Sequence, residues 1–382
     1  KFGRDLGRET QDISLKPGIN KMVLKRPALP AGLNFAHLIL KCEMGVLDFR
    51  AIALKTEAGA KITGIKGVKE TYNRSENLEA IIRVNALDAA GLRLRLAVSD
   101  NYGRELFVQQ NHLTETQTAS LTVPLKDFIA LSGKVEASLS KNGVEFDYLR
   151  QQFVVIPLRI WDRFEFVPWG GGTYGGCHEH LFDRRMKEMR RMGMTGILMN
   201  PYDYTPAYIA AVTNNNLKMV TKGGSEAEGR KSAKYGGLLN IWADEQVVHE
   251  DRTEKGITAF MNWLNDRYED IEALNKVWET AFKDWKSVKP LLDLDDAIQR
   301  NSERGKMNFS PWSDYRDYLD WKFAHKFELS RKEFEKGDPN CRFGVSGTQI
   351  GSTKRGNDWW LLTRVLTALM NYGGGDQFRQ HR

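Results

Sequence analysis

With 382 residues, 41% of them hydrophobic, the chain is long enough to bury two ordinary globular cores. No run approaches the roughly 18 apolar residues that a spanning helix requires, so no membrane span is expected. The formal charge of +7 comes from 56 basic and 49 acidic residues mixed along the whole sequence, a pattern that serves solubility rather than nucleic-acid binding. Cys42, Cys177 and Cys341 lie far apart without a CxxC spacing, so they form neither a disulfide framework nor a zinc site.

From Asp12 to about Pro157 the texture is β-rich. Leu92 to Val98 alternates apolar and polar residues, a turn at Asn101-Tyr102-Gly103 leads to Glu105–Val108, and Val135–Leu139 faces Val144–Tyr148 across Lys141-Asn142-Gly143 as a hairpin. Short strands at about ten-residue spacing predict an antiparallel sandwich of jelly-roll type over residues 1–158. Such a module serves either as a carbohydrate-binding domain or as a plain structural one, and no aromatic platform is legible in it.

Near Phe153 the grammar changes to alternating strands and helices, which predicts an α/β domain over residues 159–382. Phe164–Val167 reads as the first strand and runs into Pro168-Trp169 and a loop of glycines, Gly170 to Gly172 and Gly175-Gly176, around Tyr174. The loop lacks the GK[ST] ending of a phosphate-binding loop and the spacing of a dinucleotide fingerprint. Its two aromatics, Trp169 and Tyr174, make it a candidate sugar-contacting loop. His178-Glu179-His180 opens the next helix, Leu181 to Met192; two His one residue apart share no helix face, and no third ligand follows, so no metal is expected and His178 is read as a capping or substrate-contacting residue. Thr195–Met199 is the second strand and ends at Asn200-Pro201-Tyr202, where Asn200 and Tyr202 are candidate contacts. Leu217–Thr221 is the third.

The fourth strand, Leu238 to Trp242, stops abruptly at Asp244-Glu245. In a (β/α)8 barrel the C-terminal ends of the strands face the active site, so an acid pair placed there is a candidate for proton transfer; the plainer alternative is a helix N-terminus that attracts acids. Beyond it, Phe260, Trp263, Leu264, Tyr268, Ile271, Leu274, Trp278, Phe282 and Trp285 recur at helical spacing. A long helix is predicted from Asp314 to Lys336, a fifth strand at Arg342–Ser346 finishing in Gly347-Thr348-Gln349, a helix from Asp358 through Met370, and a sixth strand starting at Asp376.

The run Trp263-Leu264, Arg267-Tyr268, Ile271 to Asn275, Trp278, Thr280, Phe282, Trp285, Val288 and Pro290, placed after Trp242 and Asp244-Glu245, resembles glycoside hydrolase family 42 β-galactosidases and related barrel glycosidases. The resemblance covers about 55 residues closely and the chain from Trp161 more loosely. It implies an α/β TIM barrel, and it gives Glu245 the role of general acid/base in a retaining hydrolase of β-galactosidic or related bonds. It further implies that Asp244, Trp242, Gln349, Asp358 and Trp359 line the sugar site, with helix capping and core packing as the alternative for the last three. The family carries Asn before this Glu, contacting the sugar 2-hydroxyl, where this chain has Asp244.

A β-sandwich ahead of the barrel resembles the layout of family 50 β-agarases, which points to a galactan oligo- or polysaccharide as the substrate. The resemblance implies no cofactor and no nucleic-acid partner, it is compatible with a homo-oligomer, and the substrate class suggests a periplasmic or secreted enzyme. Counted this way the barrel has six of its eight strands, and the expectation is an incomplete barrel whose nucleophile lies beyond Arg382. The rival reading is a carbohydrate-binding protein with an inactive barrel.

Overall fold

The computed structural model describes residues 12–14, 16–18, 32–43, 45–56, 59–113, 117–159, 164–169, 179–200, 204–348 and 358–371. They gather into two compact units. The described residues of Lys1–Phe166, Gly175–Thr195 and Thr205–Lys218 form one, and those of Val167–Tyr174, Gly196–Tyr204 and Met219–Arg382 form the other.

In the first unit, β1 (Gly32–Cys42) and β2 (Gly45–Thr56) pair as an antiparallel ribbon. Two larger sheets follow. One has the order β3 (Ala60–Lys66), β5 (Asn77–Ala86), β8 (Gln117–Pro124); the other runs β4 (Thr71–Tyr72), β10 (Val144–Val155), β9 (Ser132–Lys141), β6 (Leu92–Asp100), β7 (Glu105–His112). Strict alternation explains how both sheets feed one core. Along β5, Leu78, Ala80, Ile82 and Val84 are buried and the intervening residues exposed, because successive side chains of a strand point to opposite faces. They join Leu94, Leu96, Val98, Val135, Ala137 and Leu139 of the other sheet in a single cluster. The hairpin between β9 and β10 turns at Asn142 (φ 54°) and Gly143 (φ 80°), two left-handed residues as a two-residue turn of matching twist demands.

This unit also holds α1 (Glu179–Arg191) and α2 (Pro206–Asn214), joined by an edge-to-face contact of Phe182 and Tyr208 at 4.8 Å. The C-terminal end of α2 is tied to the sheets by three asparagines. Asn101 donates to the carbonyls of Thr213 and Asn214, Ser132 donates to Asn214 Oδ1 at 2.7 Å, and the Leu131 amide donates to Asn216 Oδ1 at 2.9 Å.

The second unit is built on a five-stranded sheet in strictly sequential order: β11 (Gly196–Leu198), β12 (Lys218–Lys222), β13 (Leu239–Asp244), β14 (Arg342–Thr348), β15 (Ala368–Asn371). The pairs β12–β13, β13–β14 and β14–β15 are parallel. Each strand lies beside its predecessor without reversal, as in the arc of a singly wound barrel. The crossovers are α3 (Glu226–Tyr235), then α4 (Glu254–Arg267), α5 (Ile271–Trp278), α6 (Leu294–Arg304) and the 26-residue α7 (Ser310–Glu335) between β13 and β14, and α8 (Trp359–Val365) before β15. The aromatic periodicity in the middle of the chain is core: Phe260, Leu264, Leu274 and Trp278 are at most 1% exposed and meet Tyr315, Tyr318 and Leu319 of α7.

Two expectations need correction. Phe164–Val167 is not a strand but an irregular segment held at Phe166 by main-chain and hydroxyl bonds to Thr195, with Phe164 89% exposed. The helix opened by Asp358 ends at Val365 rather than Met370, because the next residues find a better use for their backbone: Thr367 exchanges bonds with Phe343, and Ala368–Asn371 joins the sheet. The strand after β14 is thus Ala368–Asn371; residues 376–378, where it was expected, lie outside the described residues.

Candidate functional site

β13 owes its position to buried polar pairing as well as to apolar burial. Asn240, fully buried, accepts from Thr221 Oγ1 at 2.9 Å and donates to the Gly223 carbonyl at 2.7 Å, which locks β13 to the end of β12. On the other side β13 pairs with β14 in register from Leu239 to Ile241; the register then slips, and Asp244 comes opposite Ser346. A slip of this kind bends the strand and re-aims the side chains beyond it.

The acid pair stands at that bend. Asp244 closes β13, and its Oδ1 accepts from the Ser346 hydroxyl at 2.9 Å. Glu245 follows with φ 49° and donates its amide to the Ser346 carbonyl at 3.1 Å. A non-glycine residue in the left-handed region costs on the order of 1–2 kcal/mol and persists where its surroundings impose it, a pattern that clusters at functional sites. The Glu245 side chain is exposed and the Ser346 side chain buried.

Trp242, two residues earlier, is turned toward α7. Its ring meets Phe327 edge-on at 4.9 Å, and the Lys326 ammonium lies 4.9 Å from its centroid. Lys326 also donates to Gln246 Oε1 at 3.3 Å, and Gln246 donates to the Asp244 carbonyl at 3.2 Å. The indole thus packs the strand onto the helix, the core role that competes with a sugar contact for any aromatic in this position.

The other candidates fall as follows. Trp169 is 49% exposed with Lys222 Nζ, at the end of β12, 6.0 Å from its ring centroid. Because parallel strands end on one edge, this places Trp169 beside the same sheet edge that carries Asp244 and Glu245. Asn200 follows β11 and is buried at 6% exposure. Asp358 is the N-cap of α8, its Oδ1 accepting from the amides of Trp360 and Leu361, while Trp359 is half-buried at the first position of that helix. Tyr174, His178, Tyr202 and Gln349 lie outside the described residues.

The structure adds groups that the sequence did not single out. Ser346 and Gly347 touch the acid pair from β14. Asp320 of α7 is half-buried, and burial first, then the Asp358 carboxylate, push its pKa up to about 6 against the pull of Arg316. Arg316, buried, pairs with Glu250 at 2.8 Å, in the segment just after the acid pair. No pattern in the sequence announces Asp320, since its burial, and after it the approach of the Asp358 carboxylate from 38 positions away, are supplied only by the fold.

Chemically the edge offers an exposed carboxyl group on a rigid, strained backbone, a second carboxylate fixed next to it, and an exposed indole nearby. That combination suits proton transfer to and from a bound, hydroxyl-rich ligand. Among the described residues no three His, Cys, Asp or Glu side chains gather as metal ligands, and no helix is long and apolar enough to cross a membrane.

Residues 239–352 match the model of the glycoside hydrolase family 42 β-galactosidases, under a third of the chain. The match begins in β13 and contains the acid pair. Comparison with curated proteins finds no match. Similar solved structures include Bacteroides uniformis β-glucuronidase 3 (10% identity, TM-score 0.30, 85% of this chain and 36% of that one) and Bacteroides uniformis β-glucuronidase 2 (12%, 0.32, 85% and 38%). The catalytic domain of a Paenibacillus polymyxa β-amylase is a third (11%, 0.41, 54% and 75%). The chain therefore spans little more than a third of the two glucuronidases, and superpositions this loose assign nothing beyond themselves.

Proposed function

We propose that the chain belongs to a retaining glycoside hydrolase acting on β-galactosidic or related bonds of an oligo- or polysaccharide, with Glu245 as general acid/base. The observation that carries this reading is the coincidence of the family match with the acid pair: the matched segment starts at Leu239, and Asp244-Glu245 terminates the parallel strand on which it starts. In this reading β11 to β15 are an arc of a (β/α)8 barrel whose catalytic face is the edge bearing Glu245.

Glu245 first gives its proton to the departing glycosidic oxygen and then takes one from the water that releases the sugar. A retaining mechanism needs a second carboxyl group about 5–5.5 Å away as nucleophile, and we assign no described residue to it. Asp244 and Trp169 supply a hydroxyl acceptor and an apolar face to the sugar. A polymeric galactan as substrate goes with a periplasmic or secreted enzyme.

Glu245→Gln is the test. Turnover of an unactivated galacto-oligosaccharide should fall by about 100-fold or more, while a dinitrophenyl galactoside, which leaves without a proton, keeps its glycosylation step. Azide should restore turnover on the activated substrate by replacing the water that needs a base. Unchanged cleavage of the oligosaccharide removes Glu245 from the mechanism. Binding of galactans without hydrolysis by the unmutated protein favours the carbohydrate-binding alternative, which the replacement of the family's Asn by Asp244 also favours.

A further inference from the structure

In a regular strand Asp244 and its successor would point to opposite faces of the sheet. Here they do not. A Cβ built on Gly347 would lie 2.7 Å from Asp244 Oδ1 and 2.8 Å from Glu245 Cγ, so both acid side chains pass over the same residue of β14. The left-handed turn at Glu245 (φ 49°) breaks the alternation and brings its chain to the side that Asp244 already occupies.

Three contacts from β14 hold that turn. The Ser346 carbonyl accepts the Glu245 amide at 3.1 Å, the Ser346 hydroxyl reaches Asp244 Oδ1 at 2.9 Å and the Ala243 carbonyl at 3.1 Å, and Gly347, itself at φ 69°, leaves the space that the two acids fill. Any side chain on Gly347 would also come within 2.7 Å of the Glu245 amide nitrogen. Ser346 is 1% exposed, so its hydroxyl acts on the acids from behind rather than on a ligand.

We propose that Ser346 and Gly347 are positioning residues for the acid pair: Gly347 makes room for both carboxylates on one side of the sheet, and Ser346 fixes the strained backbone and the Asp244 carboxylate that flank the proton donor. The proposal rests on the reading of Glu245 as acid/base. Neither residue touches substrate; both act by holding Glu245 where its proton can meet a leaving oxygen, and a misplacement of about 1 Å is enough to lose two orders of magnitude in rate.

The experiment compares Gly347→Ala, Ser346→Ala, Ser346→Thr and Glu245→Gln in the full-length enzyme on phenyl and dinitrophenyl β-galactosides, with circular dichroism and melting temperature recorded for each. Gly347→Ala should lose about 100-fold in kcat/KM on the phenyl glycoside and less than about tenfold on the dinitrophenyl glycoside, the signature of a displaced proton donor rather than of a damaged fold. Ser346→Ala should show the same asymmetry at about tenfold, and Ser346→Thr, which keeps the hydroxyl, should return to within about threefold of the parent. Equal losses on both substrates, or a Thr variant no better than Ala, overturn the proposal while a selective loss in Glu245→Gln leaves the acid/base reading standing. A Glu245→Gln enzyme that cleaves the phenyl glycoside at the parent rate overturns both. Should Gly347→Ala not fold, the Ser346 pair decides alone.

Discussion

Trp278 donates its indole N–H to the Asp314 carboxylate at 2.6 Å, and this bond ties the short helix α5 to the long helix α7. Tyr268 donates to the same Oδ2 at 2.6 Å, and Arg267 approaches Oδ1 at 3.3 Å. Burial, and then the hydrogen bond to Asp314, push the Tyr268 hydroxyl up to about 12. Asp314 is 4% exposed, so its removal strands the buried Trp278 donor and the half-buried Tyr268 donor. Asp314→Ala should destabilise the second unit by about 3–5 kcal/mol, and Tyr268→Phe by about 1.5–3 kcal/mol. Urea unfolding followed by tryptophan fluorescence reads both.

Asp320 sets a pH dependence of stability. Its folded pKa of about 6 exceeds the ordinary 3.8, so the folded state binds this proton more tightly than the unfolded state. Its contribution is complete below pH 3.8 and is lost as the pH rises through 6. The facing groups are Asp358 and Asp317, which repel its charge, and Arg316, which attracts it. Asp320→Asn should therefore raise the melting temperature by a few degrees at pH 7 and leave it unchanged at pH 4, as calorimetry at the two pH values would record.

Among the described glycines of the β-rich unit the tightest is Gly133. A Cβ there would stand 2.5 Å from Phe153 Cζ, 2.7 Å from Phe128 Cζ and 2.9 Å from the Ser99 carbonyl. Both rings are at most 1% exposed and have nowhere to move. Gly133→Ala should cost about 1–3 kcal/mol by overpacking, measured as a drop in the unfolding midpoint.

Trp169 separates binding from stability. Half-exposed beside Lys222, it has an open surface for a sugar ring and little core to lose. Trp169→Ala should raise KM for a galactan oligosaccharide about fivefold, close to 1 kcal/mol, with the melting temperature unchanged. A large fall in melting temperature at constant KM would show that the indole is structural.

What the sequence made legible was local. The hairpin at Asn142-Gly143 was readable because those two residues carry the turn by themselves, and the left-handed φ values are theirs. Strands β11 to β14 were readable as apolar runs bounded by turn residues, down to the acid pair at the end of β13. The failures came where a distant partner decides. Leu366 to Met370 has a helical composition, yet Phe343 draws it into the sheet. Phe164–Val167 has a strand composition, yet its aromatics are exposed. The roles of Ser346 and Gly347 depend on a register slip relative to β13 that no pattern within either strand records.

The sequential sheet also sets an order of assembly. Thr221 and Asn240 meet across 19 positions of chain, whereas Ser346 and Asp244 meet across 102. Closing the longer span from an open chain costs about 1.5 kcal/mol more in entropy, and non-local pairing of this kind slows folding. The ends of α4 and α5 meet α7 at Asp314 within that span, and their packing shortens the distance that the β13–β14 seam must close. The turn that aims Glu245 sits on that seam, so the seating of the acid pair depends on the longer of the two closures.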